Sequence, residues 1–240
     1  MTILVWWAVS AVAILAAAAA VGAVATERVT GLLIDSRGRY SLTQLQLSLW
    51  TVVVISLLGG VCAARLQSGD AAALDVTVPS DVLGLLGISL GSAVLATGVK
   101  TAKDHVRPQQ VSASPVAPDG DPGSPPPPRF AQVFLLEEGT YANHAVDIAK
   151  FQNLIVTVVL VVMYVGSAVV SIRDAGSVTS MTTLPGLTPT FLTLLAISHG
   201  AYLSGKLPTQ AGTPEHSVEQ RNAEQPARRT PQAAQVPTAG

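Results

Sequence analysis

Two small groups of side chains in this 240-residue chain stand out as candidates for acid–base chemistry. Glu137, Glu138, His144 and Asp147 lie close together, and His144 and Asp147 are three apart, a spacing that puts both on one face of a helix. This is the one stretch where an acid/base pair can be assembled. The second group, Ser198, His199 and Tyr202, lies in an apolar run, where ionisable residues are costly and often functional. A neutral imidazole costs far less than a fixed charge, and Ser198 or Tyr202 can satisfy it, so a hydrogen-bonded interior histidine is the simpler role. No H-E-x-x-H, G-x-S-x-G, P-loop or Gly-rich dinucleotide turn is present. The single cysteine, Cys62, excludes an intramolecular disulfide framework and a Cys-based zinc or iron–sulfur site. The sequence therefore predicts no catalytic residue, no metal and no cofactor. The charges at 137–147 read as solvated groups on an amphipathic segment.

What must position these groups is a set of membrane helices. Hydrophobic residues make up 49% of the chain, charged residues 12%, and the mean hydropathy is +0.45. Soluble domains carry about 25% charge, so this composition cannot cover a globular surface. A net charge of −1 argues against nucleic acid, which calls for a basic excess. Five apolar stretches predict an all-α polytopic membrane protein: Ile3 to Val24, Leu45 to Ala64, Val82 to Val99, Leu154 to Ile172 and Leu184 to Gly205. Each has about 20 residues, enough for a hydrocarbon core of roughly 30 Å. Pro185 and Pro189 open the fifth, which leaves a re-entrant hairpin as the alternative there. The first lacks a basic n-region and is too long for a signal-peptide core, so it reads as a span; its Ala18-x-x-x-Gly22 spacing suits close packing. With the N-terminus outside, only Arg65 and Arg173 face outward, and the other twelve basic residues lie in the loops at 26–42 and 100–151 or in the tail from Lys206. The positive-inside rule then gives N-out, C-in.

Two segments are too polar and proline-rich to fold. The linker at 101–130 has a polyproline run within 108–128, and the tail at 207–240 is rich in Pro, Gln, Ala, Thr and Glu. Both are expected in the cytoplasm. The segment 131–151 mixes Phe134, Leu135 and Leu136 with charges and reads as an interfacial element. The rest divides into a first helix at 1–25 and two related helix pairs at 45–100 and 152–206. Gln46 and Thr51 match Gln152 and Thr157, Pro79 matches Pro185, and Lys100 matches Lys206. Ile88-Ser-Leu-Gly91 and Ile197-Ser-His-Gly200 also match, but displaced by three residues, so the register between 79–100 and 185–206 stays open. Each copy contains two spans, so both enter the membrane from the same side.

Gly87, Gly91, Ala196 and Gly200 form small-x-x-x-small pairs on the third and fifth helices, which predict contact between those helices or with another subunit. Before the second helix, Gly38 suggests a turn, Ser41 and Gln44 have capping-box spacing, and Arg37, Arg39 and Tyr40 are candidate headgroup anchors.

The Asp35-x-Arg-Gly-Arg-x-Ser41 turn, the Gln46-x-x-x-Trp50-Thr51 helix and the Ile197-Ser-His-Gly-Ala-Tyr202-x-x-x-Lys206 helix resemble uncharacterised bacterial multi-pass membrane proteins. The resemblance touches about 40 residues; it implies a polytopic inner-membrane protein and brings no activity. Ten arginines against four lysines, with abundant Ala and Val, fit a GC-rich bacterium. The first copy departs from the pattern, with Val94 or Ala96 where Tyr would fall. The functional expectation is a non-enzymatic multi-pass protein of the bacterial inner membrane. Its partners would be the bilayer, a cytoplasmic protein held through 108–128 or 207–240, and a second copy of the chain. The alternative is a small transporter or channel, lined by Ser89, Ser92, Thr97, Thr157, Thr193, Ser198 and His199.

Overall fold

The computed structural model describes residues 2–35, 38–106, 128–137 and 144–206. Among them, secondary structure is helical apart from isolated β-bridges. The helices are α1 (Thr2–Thr26), α2 (Leu42–Gln67), α3 (Ser80–Val106), α4 (Ile148–Asp174) and α5 (Pro189–Ser204), with 3₁₀ turns at Gly31–Leu33 and Phe130–Val133. Four of them, Ile3–Thr26, Leu42–Gln67, Ser80–Ala102 and Ile148–Asp174, are long and apolar enough to cross a membrane. α5 has 16 residues, roughly 24 Å at 1.5 Å per residue, short of a full hydrocarbon core. The expected span from Leu184 thus begins as extended chain. Pro185 lacks an N–H, and Pro189 takes the first helical position, which proline tolerates.

Local chemistry sets the other boundaries. α4 starts six residues before the apolar run because Asp147 caps it: its Oδ1 accepts from the backbone N–H of Ala149 (3.0 Å) and Lys150 (3.2 Å). Ser41 is the N-cap of α2, but the expected capping box does not form. Its hydroxyl pairs with Thr43 Oγ1 at 3.0 Å, and no side-chain cap bond is made. The turn at Gly38 is present: Gly38 has φ +71 and donates to Asp35 O at 3.0 Å.

α2 and α3 form one antiparallel hairpin and α4 and α5 another; α2 lies beside α4, α3 beside α5, and α1 packs on α2. The α1–α2 contact depends on Gly60, where an added Cβ would lie 2.5 Å from Trp7 Cα, and Trp7 Nε1 donates to Ser56 Oγ at 2.9 Å. Gly22 is buried too, against the backbone carbonyls of Arg28 and Val29 rather than against a helix. The core contains Trp50, Val54, Leu57, Val61, Val82, Leu85, Leu160, Tyr164, Leu184 and Leu195, with Trp50 and Tyr164 edge to face at 6.2 Å. Outward faces are apolar instead: Val5, Val9, Val12 and Leu15 on α1, Leu83, Leu90 and Val94 on α3, and Val158, Val159 and Val162 on α4 are exposed. Apolar outside with polar groups inside is the distribution that a lipid solvent selects.

The small-x-x-x-small pairs do not make the α3–α5 contact. Gly87, Ala196 and Gly200 are exposed, and a Cβ on Gly87, Gly91 or Gly200 would meet open space. The buried face lies beside them: Ser89, Ser92, Ala93 and Ala96 on α3, and Leu195, Ser198, His199 and Tyr202 on α5. Helical periodicity separates the two stripes, and the bundle uses the second.

Candidate functional site: a lysine cluster over a polar core

At one end of the bundle the start of α4 meets the ends of α3 and α5, with the short chain at 128–137 against them. Leu135 bridges Val146, and Leu136 N donates to Ala145 O at 3.0 Å, which fixes the backbone at Glu137. Its carboxylate takes Lys206 Nζ at 2.7 Å, Lys150 Nζ at 2.8 Å and Lys100 Nζ at 3.3 Å. Lys100 also meets Asp35 at 2.6 Å, and Lys150 Nζ donates to Leu135 O at 2.7 Å. The lysine side chains are 3–12% exposed and Glu137 is 14% exposed, so these ion pairs are largely removed from water. Burial alone would raise the Glu137 carboxyl, but the ammonium groups of Lys206, Lys100 and Lys150 outweigh it and hold the group far below the usual carboxylate range. Lys206 is pushed down to about 8, first by burial, with Glu137 opposing and Lys100 and Lys150 adding to the shift.

Roughly 10 Å deeper along α5, two helical turns in, a polar layer crosses the bundle. Gln46 Nε2 donates to Thr157 Oγ1 (2.6 Å) and to Asn153 Oδ1 (3.1 Å), which also accepts from Ser198 Oγ at 3.1 Å. His199 Nδ1 pairs with Ser92 Oγ at 2.7 Å. Gln46 Oε1, Asn153 Nδ2, Ser89 Oγ and His199 Nε2 are buried with no hydrogen-bond partner among the described residues. Beyond this layer Leu57, Leu85, Leu160 and Leu195 fill the interior with hydrocarbon. This polar layer lies in the half of the bundle next to the lysines; in the other half Ser56 and Arg65 are also buried, Arg65 against Asp70 at 2.7 Å.

Of the residues singled out in the sequence, Ser198 and His199 do enter one buried layer, yet His199 pairs with Ser92 rather than with either neighbour. Tyr202 is buried between this layer and the lysines, with Lys206 Nζ 5.1 Å from its ring centroid. Arg39 and Tyr40 engage the protein itself. Arg39 N donates to the Asp35 carboxylate at 3.1 Å; Tyr40 shares a 2.8 Å hydrogen bond with Thr30 and stacks edge to face on Phe130. Arg37, Glu138, most of the proline-rich stretch and the tail at 207–240 lie outside the described residues. His144 and Asp147 do not share a helix face, because the helix begins after Asp147, which is spent as its cap. The described parts of 131–151 are a 3₁₀ turn, an isolated bridge between Leu135 and Val146, and the first turn of α4. Among the described residues no group of His, Cys, Asp and Glu has metal-binding geometry.

Lys100, Lys150, Asn153 and Glu137 were not legible as a site. Lys100 stood out as a repeat marker, and Glu137 as a solvated charge. Asn153 sat one residue before the expected fourth span. The missing signal was Asp147, whose capping position moves the start of α4 back and draws Lys150 and Asn153 into the bundle.

No family model matches the chain, and neither a curated protein nor a solved structure is similar to it.

Proposed function

We propose that this chain is a non-enzymatic, multi-pass protein of the bacterial inner membrane that anchors or scaffolds a cytoplasmic partner. The observation that carries this reading is the single ion cluster formed by Asp35, Lys100, Glu137, Lys150 and Lys206. Lys100 precedes the proline-rich linker, Glu137 and Lys150 follow it, and Lys206 immediately precedes the tail. Both long polar segments thus leave the bundle from one fixed base. In this reading the topology is five spans, N-out and C-in, with the lysine end inside and α5 completed across the membrane by the extended chain from Leu184.

The reading includes the duplication. Buried positions on α2 recur on α4 at the offset that relates Gln46 to Asn153: Thr43 with Lys150, Trp50 with Thr157, Leu57 with Tyr164 and Val61 with Ala168. On α3 and α5 the pairs Ser89 with Leu195, Ser92 with Ser198, Ala93 with His199 and Ala96 with Tyr202 follow the Lys100–Lys206 register without the three-residue displacement. The α2–α4 offset is one residue longer than the Gln46–Gln152 match, which one added residue between the helices accounts for. The stripe of Gly87, Gly91, Ala196 and Gly200, exposed except for half-buried Gly91, supports packing against a second copy.

Affinity recovery of tagged protein after in-cell cross-linking tests the anchor. A stoichiometric cytoplasmic protein, lost on deletion of 207–240 or 108–128, is expected; recovery of self-cross-links alone contradicts it. The buried layer around His199 favours transport as the second reading, and solute flux in proteoliposomes that disappears in His199→Leu would support it. The apolar layer of Leu57, Leu85, Leu160 and Leu195 argues against a continuous path.

A further inference from the structure

We propose that the polar layer around His199 binds water inside the bundle, with one molecule donating a hydrogen bond to His199 Nε2. Each of four helices brings one orphaned atom to this layer: Gln46 Oε1 from α2, Ser89 Oγ from α3, Asn153 Nδ2 from α4 and His199 Nε2 from α5. The four residues are no more than 2% exposed, and none of these atoms has a hydrogen-bond partner among the described residues. Buried polar side chains are almost always paired, with protein or with ordered water.

The bonds already made fix what each orphan offers. Ser92 has one hydroxyl proton, which goes to Ser89 O at 2.9 Å. Ser92 Oγ therefore accepts from His199 Nδ1, 2.7 Å away, so Nδ1 carries the imidazole proton and Nε2 presents a bare lone pair. Thr157 Oγ1 donates to Asn153 O at 3.0 Å, so toward Gln46 Nε2 it accepts, and Gln46 Oε1 is left over. Asn153 Oδ1 accepts from Ser198 Oγ and Gln46 Nε2, which leaves both N–H groups of Asn153 Nδ2. The open set is two acceptors, one double donor and one hydroxyl.

A mixed set of this kind selects its occupant. A cation would meet the N–H groups of Asn153, and an anion would meet the lone pairs of Gln46 and His199. Water carries no charge, and its two to four hydrogen bonds run in both directions, which suits all four orphans. Further along the bundle Leu57, Leu85, Leu160 and Leu195 offer no polar side chain. The water is therefore held at this depth and does not form a file across the bilayer.

The test is solid-state nitrogen NMR of the full-length, histidine-labelled protein in phospholipid bilayers at neutral pH. The His199 signals are those lost in His199→Gln. Expected are a protonated Nδ1, an unprotonated Nε2, and transfer of magnetisation from water protons to Nε2. Ser92→Ala removes the acceptor of the Nδ1 proton and should bring a second signal from the other tautomer. A proton on Nε2 in the wild type, alone or together with Nδ1, overturns the proposal. So does an Nε2 that receives nothing from water, or a single unchanged tautomer in Ser92→Ala; the wild-type spectrum decides on its own if that variant fails to fold.

Discussion

Lys206 Nζ lies 2.7 Å from Glu137 Oε1, the same oxygen that Lys150 Nζ meets at 2.8 Å, so one carboxylate oxygen joins the end of α5 to the start of α4. Lys100 on α3 completes the set through the other oxygen. The residue in the middle belongs to no helix. It is held by short backbone pairing, and it converts an irregular segment into a clasp across the helix ends.

Removing the clasp should be costly. Glu137→Gln keeps the shape but leaves three largely buried ammonium groups without their shared carboxylate. Breaking a buried pair from one side costs about 3–5 kcal/mol. Residual exposure of 14% puts the expected loss near the lower value. Detergent unfolding of the variant against wild type measures it, and a change below about 1 kcal/mol would mean that water already screens the cluster.

The pH dependence follows from the same group. The Glu137 carboxyl lies far below its ordinary 4.5 when folded, so its contribution is complete above that value and is lost as the pH falls through and below it. Lys206 is lowered too, to about 8 against 10.5 unfolded, so it costs stability below about 8 and that cost is relieved as the pH rises from about 8 to 10.5, a slope of the same sign as that of Glu137. Unfolding midpoints across pH 3 to 7 should fall toward acid in wild type, and more shallowly in Glu137→Gln.

Close packing separates the glycines into two kinds. Gly60→Ala drives a Cβ into the Trp7 backbone and should loosen α1 from α2, costing about 1–3 kcal/mol as an overpacked site. Gly91→Ala and Gly200→Ala meet open space within one chain, and should leave monomer stability within about 0.5 kcal/mol. Gly91→Leu with Gly200→Leu then reads the second copy directly: native gels should show loss of a larger species while the monomer stays folded.

In the polar layer, Gln46→Leu removes the donor to both Asn153 and Thr157. Interhelical hydrogen bonds of this kind contribute about 1–2 kcal/mol. That loss, read as a lower unfolding midpoint, should exceed the loss in Thr97→Val. Thr97 Oγ1 donates only to Ala93 O on its own helix.

The helices were legible because a twenty-residue apolar run has few other solutions, and four of the five runs became long helices. Their interior was less so. Helical periodicity marks a face but does not say which of two adjacent stripes is buried, and the glycine stripe of α3 and α5 faces outward. His199 stood out as an ionisable residue in an apolar run, whereas its partner Ser92 lies on another helix and has no local signature. Glu137 was the hardest to read. Nothing near it in sequence distinguishes a solvated carboxylate from one that three distant lysines surround.

In the proposed topology the lysine cluster and both long polar segments lie on the cytoplasmic side of the membrane. Single cysteines at Ser112, Ser217, Ser68 and Ser177, in a Cys62→Ser background, test it with a membrane-impermeant thiol reagent on intact cells. Labelling is expected at positions 68 and 177 in intact cells, and at 112 and 217 only after permeabilisation. Labelling of 112 and 217 from opposite sides, or of both in intact cells, would contradict it.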